Sequence, residues 1–328
     1  MEGLGKTMNK EQVGKGAIYG SLIGDASGAT LEFFPNVPDR DDVMRALQMK
    51  GGGYWRTAPG QITDDGEMSI CLMSALAGKN HFDIEEVAQA YFRWFKSLPF
   101  DMGRTTRNGL SGPFEERASS LHVSMWKAAE SRNSRSKANG SLMRIVPLGV
   151  WGYRLSERDL VDAACEDSRL THCSLTCQHA CATYCLAIKH LMINEGDSKG
   201  AFARAVAWAE KLGNSEIGAW LKSARANEAV GYFPHSGFVK YAYVHAFRHL
   251  LLESTYLNSL METLSGGGDT DTNACIVGGI VGALHGEAGV PSQMVNALLK
   301  CDTTKGRKRP EFLQTKLQLP RLLEALIK

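Results

Sequence analysis

The chain has 328 residues, of which 44% are hydrophobic and 22% are charged, and its formal net charge is +2. This length allows a large buried core, and the composition is that of a folded globular protein rather than a disordered chain. The small net charge gives no indication of nucleic-acid or membrane binding. The one basic run, residues 305–309, is typical of a solvated turn.

The N-terminal residues are polar, and no segment approaches the roughly 20 apolar residues that cross a bilayer. We therefore expect a cytoplasmic protein without a signal peptide, whose eight cysteines are mostly reduced thiols. Cys173, Cys177, Cys181 and Cys185 recur at every fourth position. Ligands strung along one straight helix cannot surround zinc tetrahedrally, so this stripe predicts small buried side chains at a contact between helices.

Helical periodicity dominates the chain, and alternating strand patterns are scarce. The sequence predicts an all-α fold with a flexible segment at residues 1–12 and one compact domain at residues 13–328. The first helix is rich in Gly and Ala, which suits close packing against a neighbour. The predicted helices cover residues 14–30, 67–78, 83–97, 156–167, 174–194, 199–212, 215–226, 238–253, 256–263, 272–285, 291–300 and 318–327. The main predicted loops cover residues 35–42, 50–62, 98–114, 131–141 and 264–271.

Acidic residues lie near the ends of the early helices. Asp25 suits a buried carboxylate satisfied by helix termini, and Glu32 suits either a surface loop or a contact with metal or substrate. Asp64 and Asp65 follow Thr63 at the mouth of a helix, where they repel each other unless the helix N-terminus and a cation offset their charge. Asp101, viewed alone, is typical of a turn or an N-cap.

Two later segments also carry candidate binding groups. Asn139, Gly140 and Ser141 precede an apolar helical run, where backbone N–H groups at a helix start offer a cradle for a phosphate. His172 lies just before the cysteine helix, and a lone histidine there is usually structural.

The most informative segment is residues 266–273, which reads GGGDTDTN. Asp269 and Asp271 lie two positions apart, next to the hydroxyls of Thr270 and Thr272. Alone, this pattern is typical of an N-cap or a turn. Crowded oxygen donors, however, suit Mg²⁺, Mn²⁺ or Ca²⁺ far better than zinc. Together with the acidic cluster near residue 64, the segment predicts a shared metal centre closed by the fold.

Taken together, these motifs resemble the ADP-ribosylglycohydrolase family, hydrolases that remove ADP-ribose from modified side chains. The resemblance covers residues 14–286 and keeps the family's order. It rests on GDASGATLEF, QITDDGEMSICL, PFDMGRTT, ANGSLMRIVPLG, LTHCSLTCQHAC and GGGDTDTNACIVGGIVGALHG.

The resemblance implies an orthogonal multi-helix domain with a site for two divalent cations, Mg²⁺ or Mn²⁺. Asp65 or Glu32 would position water or ribose, and Asp101 would orient a guanidinium leaving group. Thr270 is not assigned as a ligand. The metal ligands implied by the resemblance are Thr63, Asp64, Asp65, Asp269, Asp271 and Thr272. The residues implied to bind ADP-ribose are Asn139, Gly140, Ser141 and His172.

The element around Asp101 is similar to that of the arginine-directed branch of the family, which includes the dinitrogenase reductase-activating glycohydrolase. A carboxylate suits the planar donor fork of arginine. We therefore expect an ADP-ribosylated protein as substrate, most specifically on arginine, ADP-ribose as product, and a cognate ADP-ribosyltransferase as a further partner. The alternatives are an ADP-ribose-binding or toxin-inhibiting module with little turnover, and a hydrolase acting on ADP-ribosyl-serine or other ADP-ribose conjugates.

Overall fold

A computed structural model describes residues 9–115, 120–228 and 230–328. Over these residues the chain forms one helical domain, with two isolated bridges as its extended pairings, Gly52 with Thr57 and Ala138 with Phe238. The predictions of an all-α fold and of a single domain are therefore confirmed. The α-helices are α1 (Lys10–Gly28), α2 (Arg40–Ala46), α3 (Asp64–Leu76), α4 (Ile84–Lys96), α5 (Arg104–Leu110), α6 (Gly112–Glu115), α7 (Leu121–Asn133), α8 (Val146–Trp151), α9 (Glu157–Arg169), α10 (Leu175–Ile193), α11 (Ser198–Lys211), α12 (Ser215–Arg225), α13 (Val239–Leu251), α14 (Tyr256–Ser265), α15 (Thr270–Gly289), α16 (Ser292–Leu299) and α17 (Thr315–Ile327).

Helices α1 and α15 lie side by side with their backbones in contact. Every fourth residue of α1 from Gly16 to Gly28 is glycine. A Cβ added to Gly20 would lie 2.3 Å from the carbonyl oxygen of Gly278, and one added to Gly28 would lie 2.4 Å from that of Thr270. No side chain fits at such separations, so the glycines permit the close approach that the sequence predicted. The pair is antiparallel, because the C-terminal end of α1 lies beside the N-terminal end of α15.

Helix α10 runs through the interior and carries the cysteine stripe. Cys177, Cys181 and Cys185 are fully buried. The sulfur of Cys177 lies 3.5 Å from the carbonyl oxygen of Ala138, and that of Cys181 lies 3.5 Å from the hydroxyl oxygen of Ser141. The predicted packing role is confirmed for these three cysteines, which support the segment that leads into α8, whereas Cys173 precedes α10 and is only partly buried. All eight cysteines are free thiols, as expected.

Five short or polar helices lie outside the predicted helical ranges, namely α2, α5, α6, α7 and α8. Helices α5 and α6 fall inside the predicted loop 98–114, which is therefore wrong over most of its length. Helix α7 buries Ser124, Met125, Ala128 and Ala129, a face too small and too polar to give an apolar period. Packing against neighbouring helices, rather than amphipathic patterning, supports these elements.

Three boundaries also differ from the sequence-based ones. Helices α3 and α15 begin at Asp64 and Thr270, so they take in the acidic motifs instead of following them. Helix α1 begins at Lys10 after a capping box between Asn9 and Gln12, four residues before the predicted start of the first helix. Residues 1–8 lie outside the described residues.

One helix pair combines length with apolarity. Within the described ranges, no single helix is long and apolar enough to cross a bilayer; α15 and α16 pass the same test together, but they are bent by 104° relative to each other.

Replacement of Gly20 by alanine tests the contact between α1 and α15. The added methyl group has no space against α15, so we expect the free energy of unfolding to fall by about 1–3 kcal/mol. Urea denaturation followed by circular dichroism measures this change.

Gly218→Ala is the matched control. Gly218 lies in α12, and a Cβ added there meets no atom within 4 Å. This variant should gain up to about 1 kcal/mol because alanine is the better helix former. Equal stabilities of the two variants would contradict the proposed role of close helix contact.

Candidate active site

Three helix ends bring the acidic motifs together. The antiparallel α1–α15 pair places the C-terminal end of α1 next to Asp269 and Asp271. Asp25, in the last turns of α1, then fixes the start of α3. Its carboxylate accepts hydrogen bonds from the backbone N–H of Thr63 at 3.0 Å, the Thr63 hydroxyl at 2.8 Å and the Gly66 N–H at 2.9 Å. The expectation that helix termini satisfy a buried Asp25 is confirmed.

The first acidic group lies at this junction and consists of Asp25, Asp65 and Asp271. One carboxylate oxygen from each lies within 4.8 Å of the others. The hydroxyl of Thr63 also lies 3.3 Å from Asp65 Oδ2 and 3.5 Å from Asp271 Oδ2. The second oxygen of Asp65, Oδ1, is buried and has no hydrogen-bond partner. A buried carboxylate oxygen without a donor is costly unless a cation satisfies it.

The second acidic group shares Asp271 and adds Glu32 and Asp101, again with oxygens within 4.8 Å of one another. Glu32 Oε2 accepts a hydrogen bond of 2.5 Å from the indole N–H of Trp55. Trp55 was not predicted to belong to the site, and only its place in a glycine-rich loop beside Tyr54 hints at such a role. Glu32 therefore faces the site rather than forming part of a surface loop.

With Asp64 and Asp269, the five residues of these two groups form a cluster of seven carboxyls. Burial and mutual repulsion raise the pKa of each of them. Burial is the largest cause in each case, and neighbouring carboxylates add to it. The pKa of Asp65 lies well above its usual value. The pKa is about 12 for Glu32, about 10 for Asp101, about 8 for Asp269, about 7 for Asp25 and Asp64, and about 6 for Asp271.

Other buried acids of the chain are paired with a cation. Glu67 binds Arg309 at 2.6 Å, and Asp167 binds Arg144 at 3.0 Å. None of the seven cluster carboxylates makes an ion pair with an arginine or lysine in the described parts of the chain. The cluster therefore offers only oxygen donors, lacks a positively charged partner within these described parts, and includes the unpartnered Oδ1 of Asp65. Such a set of donors fits one or more hard divalent cations.

A cavity of about 660 Å³ opens above this cluster. Most predicted site residues line it, and they come from segments far apart in the sequence. The predicted residues in its wall are Glu32, Asp64, Asp101, Asn139, Gly140, His172, Asp269, Asp271 and Thr272. Thr63 and Asp65 lie beneath this lining. The wall also includes residues that were not predicted, among them Phe33, Pro38, Arg104, Met143, Phe233 and Ser236.

The segment around Gly140 forms another part of the cavity wall. Asn139 donates a hydrogen bond of 2.7 Å from its amide to Asp269 Oδ2, which joins this wall to the acidic cluster. A Cβ on Gly140 would lie 3.0 Å from the ring of His172, so glycine keeps this face of the cavity open. Helix α8 begins only at Val146, so the residues that directly follow Gly140 form a turn rather than the helix start that the sequence predicted.

The side chain of Ser141 lies outside the cavity wall, so a contact of this residue with the diphosphate stays a prediction for its backbone alone. The residue is fully buried, and its hydroxyl oxygen accepts a hydrogen bond of 3.0 Å from the hydroxyl of Ser168. Ser141 does not belong to the cavity wall, so its side chain does not contact the cavity contents. The adjacent asparagine and glycine occupy the wall because the turn at residues 140–144 directs the serine inward.

His172 presents one ring nitrogen without a partner. The Thr171 hydroxyl lies 2.8 Å from Nδ1 and also accepts a hydrogen bond of 2.9 Å from Arg144. Thr171 can then donate its own proton to Nδ1, which leaves the imidazole proton on Nε2. Nε2 is buried without a partner, and burial, aided by Arg144, lowers the pKa of His172 to about 3. A neutral imidazole N–H donor therefore lies at the cavity.

Two threonines near Asp271 behave differently from each other. Thr270 donates its hydroxyl to the carbonyl oxygen of Gly28 at 2.8 Å, so it belongs to the α1–α15 contact, consistent with its exclusion from the ligand set. Thr272 lines the cavity, and its hydroxyl lies 4.0 Å from the sulfur of Met143.

The raised pKa of Asp269 makes stability depend on pH in the metal-free chain. Its folded-state pKa is about 8, whereas an unfolded aspartate titrates near 4. Between these values the folded state holds more protons, so stability falls as pH rises. In chelator, we expect Asp269→Asn to gain stability relative to wild type between about pH 5 and about pH 9. Urea denaturation at both pH values measures the difference.

Asp302→Asn is the control for this experiment. Asp302 is fully exposed, and hydrogen bonds from Thr304 lower its pKa, so both states are ionised across this range. Its stability relative to wild type should not change with pH. A pH-independent difference for Asp269→Asn would mean that the cluster is not electrostatically strained.

The chain is similar to known proteins over most of its length. The ADP-ribosylglycohydrolase family profile matches residues 7–325. The chain is 29% identical over 297 residues to the ADP-ribosyl-[dinitrogen reductase] glycohydrolase of Rhodospirillum rubrum, which covers 86% of this chain and 89% of that protein. It is 27% identical over 299 residues to the ADP-ribosylarginine hydrolase Tri1 of Pseudomonas putida (strain GB-1), covering 88% of this chain and 76% of that protein.

A solved structure shows the same fold. It is described as an ADP-ribosylglycohydrolase-related protein complex and superposes with a TM-score of 0.73 at 20% identity, covering 97% of this chain and 99% of the other. The resemblance read from the motifs is confirmed. The chain belongs to the ADP-ribosylglycohydrolase family of enzymes.

Proposed function

We propose that this chain hydrolyses the N-glycosidic bond between ADP-ribose and an arginine side chain of a modified protein, using two divalent cations, Mg²⁺ or Mn²⁺. The activity would reverse mono-ADP-ribosylation and release ADP-ribose. The observation that carries the proposal is the acidic cluster at the base of a 660 Å³ cavity, with no protein cation among the described residues to offset it. Two relatives that match most of this chain are named for arginine or dinitrogen reductase conjugates.

The proposed cation ligands are supported by burial and by the orphaned oxygen of Asp65. Asp64, Asp269, Asp271 and Thr272, which line the cavity, and Thr63 and Asp65, which do not, would hold the ions. Bound cations would hold the ribose hydroxyls and lower the pKa of a water molecule. Asp65 is better placed to bind a cation than to contact the substrate, because it does not line the cavity.

Glu32 is the proposed residue for positioning the attacking water. It lines the cavity, lies near Asp271, and is held by Trp55 at 2.5 Å. Water attacks the anomeric carbon as the carbon–nitrogen bond breaks and its electron pair stays on nitrogen. The proton lost by water ends on the released guanidine, which leaves as guanidinium. Glu32 can carry that proton from the water to the guanidine, because Asp101, the proposed partner of the guanidine group, lies beside Glu32.

Asp101 is the proposed partner of the guanidinium group. Asp101 lines the cavity, and one of its carboxylate oxygens lies within 4.8 Å of oxygens of Glu32 and Asp271. A carboxylate pairs with the two N–H groups of a guanidinium in a planar fork, and a serine hydroxyl offers no such fork. His172 Nε2 and the Asn139–Gly140 wall lie across the cavity, where they can bind the ribose and diphosphate of the same substrate.

Asp271→Asn tests the dependence on metal. Asp271 belongs to both acidic groups, so we expect turnover of ADP-ribosyl-arginine to fall by at least about 100-fold. The wild-type enzyme should lose activity in chelator and regain it with Mg²⁺ or Mn²⁺. Release of ADP-ribose, measured chromatographically, follows both effects. Wild-type turnover in chelator, or full activity of the variant, would rule out metal-assisted hydrolysis at this cluster.

Asp101→Asn tests the substrate class. We expect the variant to lose about 100-fold or more in kcat/KM on ADP-ribosyl-arginine, because the amide can neither pair with the guanidinium nor share its proton. Binding of free ADP-ribose, measured calorimetrically, should stay near the wild-type value. Asp162→Asn, at an exposed carboxylate paired with Arg158, is the matched control. If wild-type protein cleaves ADP-ribosyl-serine faster than the arginine conjugate, the arginine assignment is wrong.

A further inference from the structure

A second cluster of metal-ligating residues lies on α13 and α14, outside the acidic site. His245 and His249 are four residues apart on α13, so their side chains project from the same helix face. Glu262 faces them from α14. One potential ligand atom from each residue lies within 4.8 Å of the others. Both histidines are buried, at 3% and 1% exposure.

Each imidazole has one nitrogen occupied by the protein and one left over. His245 Nε2 lies 2.7 Å from the carbonyl oxygen of Val230, which can only accept, so Nε2 carries the proton and Nδ1 keeps its lone pair. His249 Nδ1 lies 3.0 Å from the hydroxyl of Ser254. The remaining atoms, His245 Nδ1 and His249 Nε2, are buried and have no partner. A second nitrogen fixed by a carbonyl or hydroxyl is the usual support of a metal-binding histidine.

The carboxylate of Glu262 is also oriented, by a hydrogen bond from Arg248 to one of its two oxygens. Arg248 Nη1 binds Oε1 at 2.5 Å, and Arg248 Nε binds Asn227 Oδ1 at 2.6 Å, which holds the guanidinium away from the other oxygen. That oxygen, Oε2, lies 3.8 Å from His249 Nε2. The Glu262 side chain is 45% exposed, so the cluster is open to solvent on this side.

We propose that His245, His249 and Glu262 bind a zinc-class transition-metal ion, with water completing the coordination. Two imidazoles and one carboxylate form a ligand set that suits zinc, whereas the oxygen-only cluster of the cavity suits hard cations. Burial lowers the pKa of both histidines, that of His249 to about 4, so the rings are neutral near pH 7. A protein cation, Arg248, already serves Glu262, but it leaves both imidazole nitrogens unsatisfied.

The position of this site indicates a structural role. The ring of His245 stacks on Tyr232 with centroids 4.7 Å apart, and its Nε2 binds Val230. The chain then continues to Phe233 and Ser236, which line the large cavity. A metal ion on α13 and α14 would therefore anchor the segment that forms this part of the cavity wall.

Zinc retention by the full-length chain tests the proposal independently of turnover. The protein is stripped with chelator, loaded with zinc in a large excess of Mg²⁺ that occupies the oxygen-only cluster, and passed through gel filtration. Elemental analysis then counts bound zinc. We expect one zinc ion per wild-type chain and a higher thermal midpoint than in its absence. Glu262→Gln and His249→Gln should weaken zinc binding by at least about tenfold.

Two controls separate this site from other sources of zinc. His190→Gln alters an imidazole that pairs with Asp197 at 2.9 Å on another helix, and Asp271→Asn alters the cavity cluster. Both should retain zinc as wild type does. Glu262 is partly exposed, so its variant tests binding even if a histidine variant fails to fold. Wild-type protein without zinc, undiminished zinc in Glu262→Gln, or loss of zinc in Asp271→Asn instead would overturn the proposal.

Discussion

The backbones of α1 and α15 touch along their length because glycine recurs at every fourth residue of α1. This contact leaves little freedom in how the two helices are offset, and it sets the C-terminal end of one beside the N-terminal end of the other. Asp25 extends the arrangement to a third helix by accepting hydrogen bonds from Thr63 and Gly66. The positions of Asp65, Asp269 and Asp271 therefore follow from backbone packing rather than from loops.

The same packing brings carboxyl groups together where the ends of α1, α3 and α15 meet, and their burial and repulsion destabilise the fold. Seven carboxyl groups share a small buried region, and burial raises the pKa of each of them. The N-terminal ends of α3 and α15 offset part of this charge through their free N–H groups. Elsewhere in the core, Arg309 and Arg144 neutralise buried acids directly. The cluster lacks such a partner in the described chain, which is why a bound cation gives the most economical account of its composition.

The metal-site chemistry could be predicted from the sequence because it is carried by short acidic motifs. The acidic motifs at Asp64–Asp65 and Asp269–Asp271, taken together, predict oxygen ligands. The glycine spacing of α1 predicts close packing. Contacts formed only by tertiary structure could not be predicted. Trp55 donates a hydrogen bond to Glu32 from a separate loop, and only the glycines of that loop hint at this role. Ser141 lies in a promising motif, but the turn at residues 140–144 directs its hydroxyl to Ser168. The unpartnered Nε2 of His172 depends on hydrogen bonds among Arg144, Thr171 and the imidazole, and these contacts form only once two separate motifs pack together.

The central claim is that the carboxylate cluster exists to hold hard cations. Binding of Mn²⁺ to chelator-treated protein, followed by electron paramagnetic resonance, tests this claim without a substrate. Saturable binding of two ions per chain, displaced by excess Mg²⁺ and lost in a variant with Asp65 and Asp269 both changed to asparagine, is the result we expect. A free-ion signal that is the same with and without protein would contradict the claim.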